Sequence, residues 1–291
     1  LPFWQSLTLK EKAAQTLMVY MPSASYIKKH QFGGVLIMKP HLKDTLHLKE
    51  ELSLANESLK IPLLTAIDQE GGKVNRLQAI SPEWKNLPSA KEMRTMTDDS
   101  VYNLAKQIGN ELHHYGINLN LAPVLDPPKD SKGKPSFIEV SNRSFGEFET
   151  AVPKIRSFVK GMKESKVLST SKHFPGYDSW TNSDHQIAFS TSSKDVILKN
   201  VELFKEFADE IPVIMLSSVR FVRLSNTPAV FNPKITAMAR EISPYTVLLT
   251  DDLWGVSLRA WISGTDKVKG KNYPSKDFKK LIRTVLWAKN D

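Results

Sequence analysis

Two aspartates stand in the middle of the stretch "LLTDDLWG", and a histidine closes "KHFPGYDSWTNSDH" about seventy residues earlier. A carboxylate that can attack or stabilise an anomeric carbon, and a separate group that can protonate a leaving oxygen, are what glycosidic bond cleavage requires. Asp251 is the better carboxylate, because it follows the apolar run Val247-Leu248-Leu249 and would stand on a rigid strand end. Its neighbour Asp252 would point to the opposite side of an extended backbone and reads as an N-cap for a helix beginning near Leu253. His185 is the candidate proton donor, since imidazole gives and takes a proton near neutral pH. Asp184 and Asp178 lie close to it in sequence and are candidates to support its charged form.

A second group of residues could hold a polyol. Asp68-Gln69-Glu70-Gly71-Gly72 sets two carboxylates and paired glycines directly after an apolar run, which lets backbone and side chain approach a small polar ligand. Arg76, Arg143 and Lys172 could donate hydrogen bonds to hydroxyls or to an acyl carbonyl, or else form surface ion pairs. No cysteine is present, and "NELHH" places His113 beside His114 without the spacing of a helical metal pair. Walker and Rossmann glycine patterns are also missing. We therefore expect neither a metal nor a cofactor.

These residues need a frame, and the hydrophobic pattern supplies one. Apolar, non-alternating runs at 32–38, 61–67, 117–125, 167–171, 212–219 and 246–250 read as strands. Helical spacing falls between them: Leu9 to Met18 behind the capping box of Thr8 and Glu11, then Leu42 to Leu59, Val101 to Tyr115 before Gly116, and Val152 to Met162. Ser192 with Asp195 reads as the cap of a helix carrying Ile197, Val201, Phe204 and Phe207. Ser275 to Ala288 is an amphipathic helix with Phe278, Leu281, Ile282 and Val285 facing inward. Such alternation predicts an α/β fold with a parallel sheet covered by helices, and a barrel suits the strand number better than a short open sheet. Asp68, Asp126, Lys172 with His173, Ser217 with Ser218, and Asp251 with Asp252 each follow a predicted strand, so one rim would gather them. No repeat or low-complexity linker divides the chain, and we expect one domain over residues 1–291.

Composition narrows the partners. The chain has 40 Lys and Arg against 31 Asp and Glu, but they are scattered and form no basic stripe with interleaved aromatics, so nucleic acid is not expected. No apolar run approaches the roughly 20 residues of a membrane-spanning helix. The lack of cysteine fits an exported protein, our expectation, as well as a cytosolic one.

The segments "LTLKEKAAQTLMV", "AIDQEGGKVNRL", "LAPVLD", "NRSFG", "SKHFPG", "PAVFNPKI" and "LLTDDLWG" occur in the order found in glycoside hydrolase family 3, and the chain resembles its single-domain β-N-acetylglucosaminidase (beta-hexosaminidase) branch. That resemblance implies a TIM-type (β/α)8 barrel and retaining exo-hydrolysis of a terminal β-linked N-acetylglucosamine from a murein or chitin fragment, by a monomer without cofactor. It implies Asp251 as nucleophile, His185 as acid/base twelve residues beyond His173, and Asp68, Arg76, Arg143, Lys172 and His173 as the residues that hold the sugar. The chain departs from the family pattern in the acid/base loop. The family reads Asp-Ser-His where this chain has Ser183-Asp184-His185, its "HGD" becomes Tyr177-Asp178-Ser179, and Ser218 stands where a histidine is usual. Near the C-terminus "GTDKVKGKNYP" replaces a clear eighth strand, so the barrel is expected to be irregular or incomplete there. A catalytically impaired or silent sugar-binding, wall-associated protein is the alternative, and a polyanion binder driven by net charge is a third.

Overall fold

A computed structural model describes residues 3–265 and 273–288. Helix α1 (Leu9–Gln15) leads into β1 (Met18–Tyr20), α2 (Ala24–His30), β2 (Gly34–Ile37), α3 (Thr45–Glu57) and β3 (Leu64–Ile67). The middle of the chain forms α4 (Ala90–Met93), α5 (Asp98–His114), β4 (Leu119–Asn120), α6 (Phe137–Val140), α7 (Phe148–Glu164) and β5 (Leu168–Phe174). There follow β6 (Phe189–Ser190), α8 (Lys194–Glu206), β7 (Val213–Leu216), β8 (Arg220–Phe221), α9 (Pro233–Ile242), β9 (Val247–Thr250), α10 (Val256–Ser263) and α11 (Ser275–Ala288).

Seven strands form one sheet in the order β1-β2-β3-β4-β5-β7-β9, and every neighbouring pair is parallel. The sheet is curled. Met18, Leu36, Ala66, Leu119, Leu121, Val213, Met215 and Leu249, drawn from β1 through β9, pack into a small cluster separate from the main core. Side chains alternate across a strand, so one set can meet only inside a barrel-like sheet while the other meets the helices. The outer set is the larger core, with Val35, Ile37, Ile67, Ile214 and Leu248 against the helices. Edge strands β1 and β9 exchange no ladder bonds among the described residues, yet Tyr20 at the end of β1 donates its hydroxyl to Asp252 beyond β9 at 3.2 Å. The architecture is thus an incomplete (β/α)8 barrel. The replacement for the eighth strand expected at residues 264–274 lies largely outside the described residues.

The structure differs from the periodicity in several places. The first helix stops at Gln15, and Met18, expected on its apolar face, belongs to β1. That face is not covered: Leu9 is exposed. The run 117–125 yields only a two-residue strand, because β4 ends before Pro123 and the chain rejoins the sheet through a single bridge from Val124 to Lys172. Conversely β5 runs to Phe174, so Lys172 and His173 lie in the strand rather than after it. Ser193, not Ser192, caps α8 by accepting from the Val196 amide. In α11 Leu281 is buried, but Phe278 and Ile282 are exposed.

The tightest helix pair covering the sheet is α5 with α7. A Cβ at Gly161 would fall 2.6 Å from the Tyr102 carbonyl and 2.8 Å from the Ala105 Cβ, so only glycine lets the two backbones approach this closely. Gly161→Ala should lower stability by about 1–3 kcal/mol, read as a reduced urea midpoint at unchanged m-value. An unchanged midpoint would show that the pair can part at no cost.

Candidate active site

The rim formed by the C-terminal strand ends is held by charge. Lys172 near the end of β5 places its ammonium 2.6 Å from Asp68 Oδ1 and 2.5 Å from Glu70 Oε1, both just beyond β3. Arg143 closes on the same glutamate with two parallel bonds, Nε to Oε2 at 2.7 Å and Nη2 to Oε1 at 2.8 Å. Arg76 reaches Asp68 Oδ2 at 3.3 Å. The Lys172 and Glu70 side chains are almost wholly buried, whereas about a quarter of the Asp68 side chain is open. Asp68, Arg76 and Arg143 therefore keep part of their surface open at the rim, and Lys172 and Glu70 stand behind them to fix their orientation.

Burial alone would push the Glu70 carboxyl up, but the Arg143 and Lys172 charges overrule it and hold the group far below the usual carboxylate range. Burial works against the Lys172 ammonium in the same way, and Asp68 and Glu70 keep it above the ordinary lysine value.

A neutral bracket shapes the loop between these charges. Gln69 is fully buried; its amide donates to Asn120 Oδ1 at 3.0 Å and its carbonyl accepts from Asn120 Nδ2 at 2.9 Å. Its side-chain Oε1 accepts from the Arg76 and Leu77 amides at 2.7 and 3.1 Å. One side chain thus ties the strand end to the turn that carries Arg76. At Gly71, where φ is +94°, a Cβ would lie 2.2 Å from the Pro88 carbonyl, so the "EGG" glycine is required by the backbone path.

Asp126 organises the next strand end. Its side chain is fully buried and accepts from the His173 amide at 2.9 Å, the Tyr177 amide at 2.6 Å and His173 Nδ1 at 2.6 Å. A carboxylate can only accept, so the imidazole carries a proton on Nδ1 and presents Nε2 elsewhere. Tyr177 packs edge-on to His173 with ring centroids 5.9 Å apart. Its phenol is pushed up to about 12, chiefly by burial, and the charges of Asp251 and Asp126 add to the effect.

Asp251 follows β9 and is half-buried, with its amide bonded to the Leu216 carbonyl and its Oδ1 accepting from the Asp252 amide at 2.8 Å. Asp252 caps a turn rather than a helix: Oδ1 accepts from the Trp254 amide at 2.9 Å, while the N-cap of α10 is Gly255. His185 and Asp184 lie on an exposed turn over 182–185. Among the described residues neither side chain has a hydrogen bond, so Asp184 does not support the imidazole as placed. Ser257, in the first turn of α10, pins both arms of this loop. Its amide donates to the Ser183 carbonyl at 3.1 Å, and its hydroxyl accepts from the Ala188 amide at 3.2 Å. Burial, with smaller additions from the Asp251 and Asp184 charges, raises the Asp252 carboxyl. Asp178, the other candidate support, is buried away from the turn and accepts from the Ser192 hydroxyl. Ser218 is buried with its hydroxyl unpartnered.

The sequence places Glu70 and Asp126 at the rim without giving either a role, and it marks neither Tyr177 nor Ser257 as a site residue. Glu70 and Asp126 carried a signal, each being a carboxylate at a predicted strand end. Ser257 carried none, since a serine inside a helix has no pattern that marks it.

Comparison with known proteins gives a family. The model of the glycosyl hydrolase family 3 N-terminal domain matches residues 8–252. The chain is 27% identical over 238 residues to a Pseudomonas aeruginosa beta-hexosaminidase, covering 78% of this chain and 68% of that protein. It is 31% identical over 217 residues to the Pseudoalteromonas piscicida beta-hexosaminidase A, covering 70% and 36%. The Beutenbergia cavernae beta-N-acetylhexosaminidase structure superposes with a TM-score of 0.77 at 24% identity over 97% of this chain and 92% of that one. NagZ from Neisseria gonorrhoeae, in complex with N-trifluoroacetyl-D-glucosamine, gives 0.78 at 20% identity over 95% and 80%.

The ion cluster yields a stability test. Glu70 is lowered from 4.5, so its contribution is full above that pH and lost as pH falls through the lower folded value. Lys172 is raised from 10.5, so its contribution is full below that pH and lost as pH rises through the higher one. Arg143→Met, which leaves the buried Glu70 with Lys172 as its remaining cation, should cost about 3–5 kcal/mol. The deficit in urea midpoint should stay constant from about pH 5 to 10 and shrink below about 4; a deficit that fades between pH 7 and 6 would contradict the assignment. The domain match over most of the chain, on a barrel with these charged strand ends, places this protein in glycosyl hydrolase family 3.

Proposed function

We propose that the protein is a retaining exo-β-N-acetylglucosaminidase, working as a single catalytic domain, that removes a terminal N-acetylglucosamine from murein or chitin fragments. The observation that carries this reading is the tether at Ser257. It draws the loop bearing His185 onto the segment that opens with Asp251, on the rim where Asp68, Arg76 and Arg143 are partly open. The names and bound sugar analogue of the similar proteins supply the substrate class.

In this reading Asp68 accepts hydrogen bonds from the sugar's hydroxyls, and Arg76 and Arg143 donate to its oxygens. Lys172 and His173 support that clamp from behind. Asp251 attacks the anomeric carbon as the glycosidic bond breaks, and His185 gives its proton to the leaving oxygen. The neutral imidazole then takes a proton from water, which attacks the glycosyl ester and releases the sugar with its configuration retained. The Asp252 amide holds Asp251 Oδ1, which leaves Oδ2 to attack. Asp184 serves the imidazolium only when the exposed turn moves, because in the described conformation the two side chains are not bonded.

That exposed, unsupported histidine favours the second reading, a protein that retains sugar binding without turnover. A chromogenic β-N-acetylglucosaminide separates the two. Asp251→Ala should lower kcat/KM by about 10³-fold or more, and His185→Ala by about 10²- to 10⁴-fold, with N-acetylglucosamine binding retained by calorimetry. Equal turnover in wild type and Asp251→Ala would end the nucleophile assignment. Binding without turnover at any pH would establish the silent protein.

A further inference from the structure

Between α11, Trp261 of α10 and the segment at Thr227 lies a hollow of about 660 Å³. Its lining is cationic. Lys276, Lys279, Lys280 and Arg283 all come from α11, and no carboxylate lines the hollow with them. The Lys280 ammonium is already engaged, donating to the Ile262 carbonyl at 2.6 Å and lying 5.7 Å from the centre of the Trp261 ring. The other three have no ion pair among the described residues. Asp277, the one acid in the helix, is buried and accepts from the Ser263 hydroxyl at 2.7 Å, so its charge is turned towards α10 and away from them.

The same helix carries an apolar stripe that the barrel does not use. Phe278, Ile282 and Leu286 recur every fourth residue along about 12 Å of helix, and they are 42%, 45% and 74% exposed. Leu281 and Ala288 are buried instead, so α11 seats on the barrel by a different face. Around the helix Lys279 falls beside Leu286, and Arg283, Lys276 and Trp287 follow on that side. Trp287 is itself 58% exposed and lines the hollow. At the other end of the stripe Phe278 meets Trp254, three residues beyond Asp251, with ring centroids 6.2 Å apart.

Whatever covers this face must satisfy both its charge and its apolar stripe. A second copy of the chain would set the same cations against one another. The neighbouring segment 266–272 carries three lysines against one aspartate, so it adds more of the same charge. A hydrophilic polyanion would pair the cations and leave Ile282 and Leu286 in water. An anionic lipid surface meets both demands, because its headgroups pair with the cations while the apolar side chains enter the acyl boundary. We infer that α11 docks the protein on an anionic lipid surface, with Phe278, Ile282 and Leu286 in the acyl boundary and Lys276, Lys279 and Arg283 among the headgroups. Trp287 lies at the interface, where an indole is favoured. The segment that opens with Asp251 then stands beside the bilayer, because Trp254 packs on the first ring of the stripe. This docking uses no step of the proposed hydrolysis.

The test uses the intact protein and two kinds of vesicle, phosphatidylcholine alone and phosphatidylcholine with about a third phosphatidylglycerol. The protein should sediment with the anionic vesicles and not with the neutral ones, and the bound fraction should fall as salt rises from about 50 to 300 mM. Lys276→Ala/Lys279→Ala/Arg283→Ala should weaken binding about a hundredfold, and Ile282→Ser/Leu286→Ser about tenfold or more. These side chains are exposed, so both variants should keep the wild-type urea midpoint. Quenching of tryptophan emission by brominated lipid should drop in Trp287→Phe. Equal sedimentation of wild type and either multiple variant would overturn the inference. Binding to soluble polyphosphate as tight as to vesicles, and indifferent to the serine pair, would assign the face to a polyanion instead. A vesicle-free dimer that Leu286→Ser dissociates would assign it to a second copy.

Discussion

An ammonium taken out of water beside two carboxylates constrains this fold more than any single apolar contact. Lys172 can remain charged in the sheet only because Asp68 and Glu70 meet it, and Glu70 can remain buried only because Arg143 meets it from another segment. Breaking any one pair leaves a buried charge only partly compensated in low dielectric, which costs more than an exposed ion pair returns. The ends of β3 and β5 and the segment at Arg143 are therefore locked together. Asp68 is the member that stays partly open to solvent, already oriented by Lys172 and Arg76. A polyol entering the rim meets a preorganised acceptor and two guanidinium donors, with little side-chain freedom left to lose.

The remaining supports divide into rigid and movable parts. Asp126 fixes His173 and Tyr177 with three bonds, and Gln69 fixes the turn bearing Arg76 through its main chain and its side chain. By contrast His185 and Asp184 occupy an exposed turn whose arms are anchored to Ser257 at Ser183 and Ala188. Under the proposed function, binding is built on strands and buried carboxylates, and proton transfer on a short tethered loop. The division suits a reaction in which the same group must serve first the leaving oxygen and then water.

The parallel sheet was legible from its apolar, non-alternating strands, and the polar strand ends located the rim. What the pattern concealed has physical causes. Met18 kept helical spacing with Leu9 and Ala13, yet the chain turns at Thr16 and Met18 joins the inner layer of the barrel. A three-residue strand is too short to show a period of its own. Ile117 to Leu125 looked like one strand because burial makes both faces apolar; only two residues pair regularly, and the rest approach β5 irregularly. Asp68, Arg76, Arg143, Lys172 and His173 do gather at one place, but the ranking among them was hidden. Which of several charged groups faces the ligand and which stands behind depends on contacts between residues 70 and 143, and sequence spacing does not encode those.

In the proposed reaction the Asp251 carboxylate becomes bonded to the sugar. Incubating the protein with a slow fluorinated N-acetylglucosaminide, then digesting it and mapping the peptides by mass, tests this directly. The account predicts one added sugar on the peptide containing Asp251, gained as activity is lost and shed as it returns. A label on the peptide of Asp68 or His185, or inactivation without any label, would contradict it.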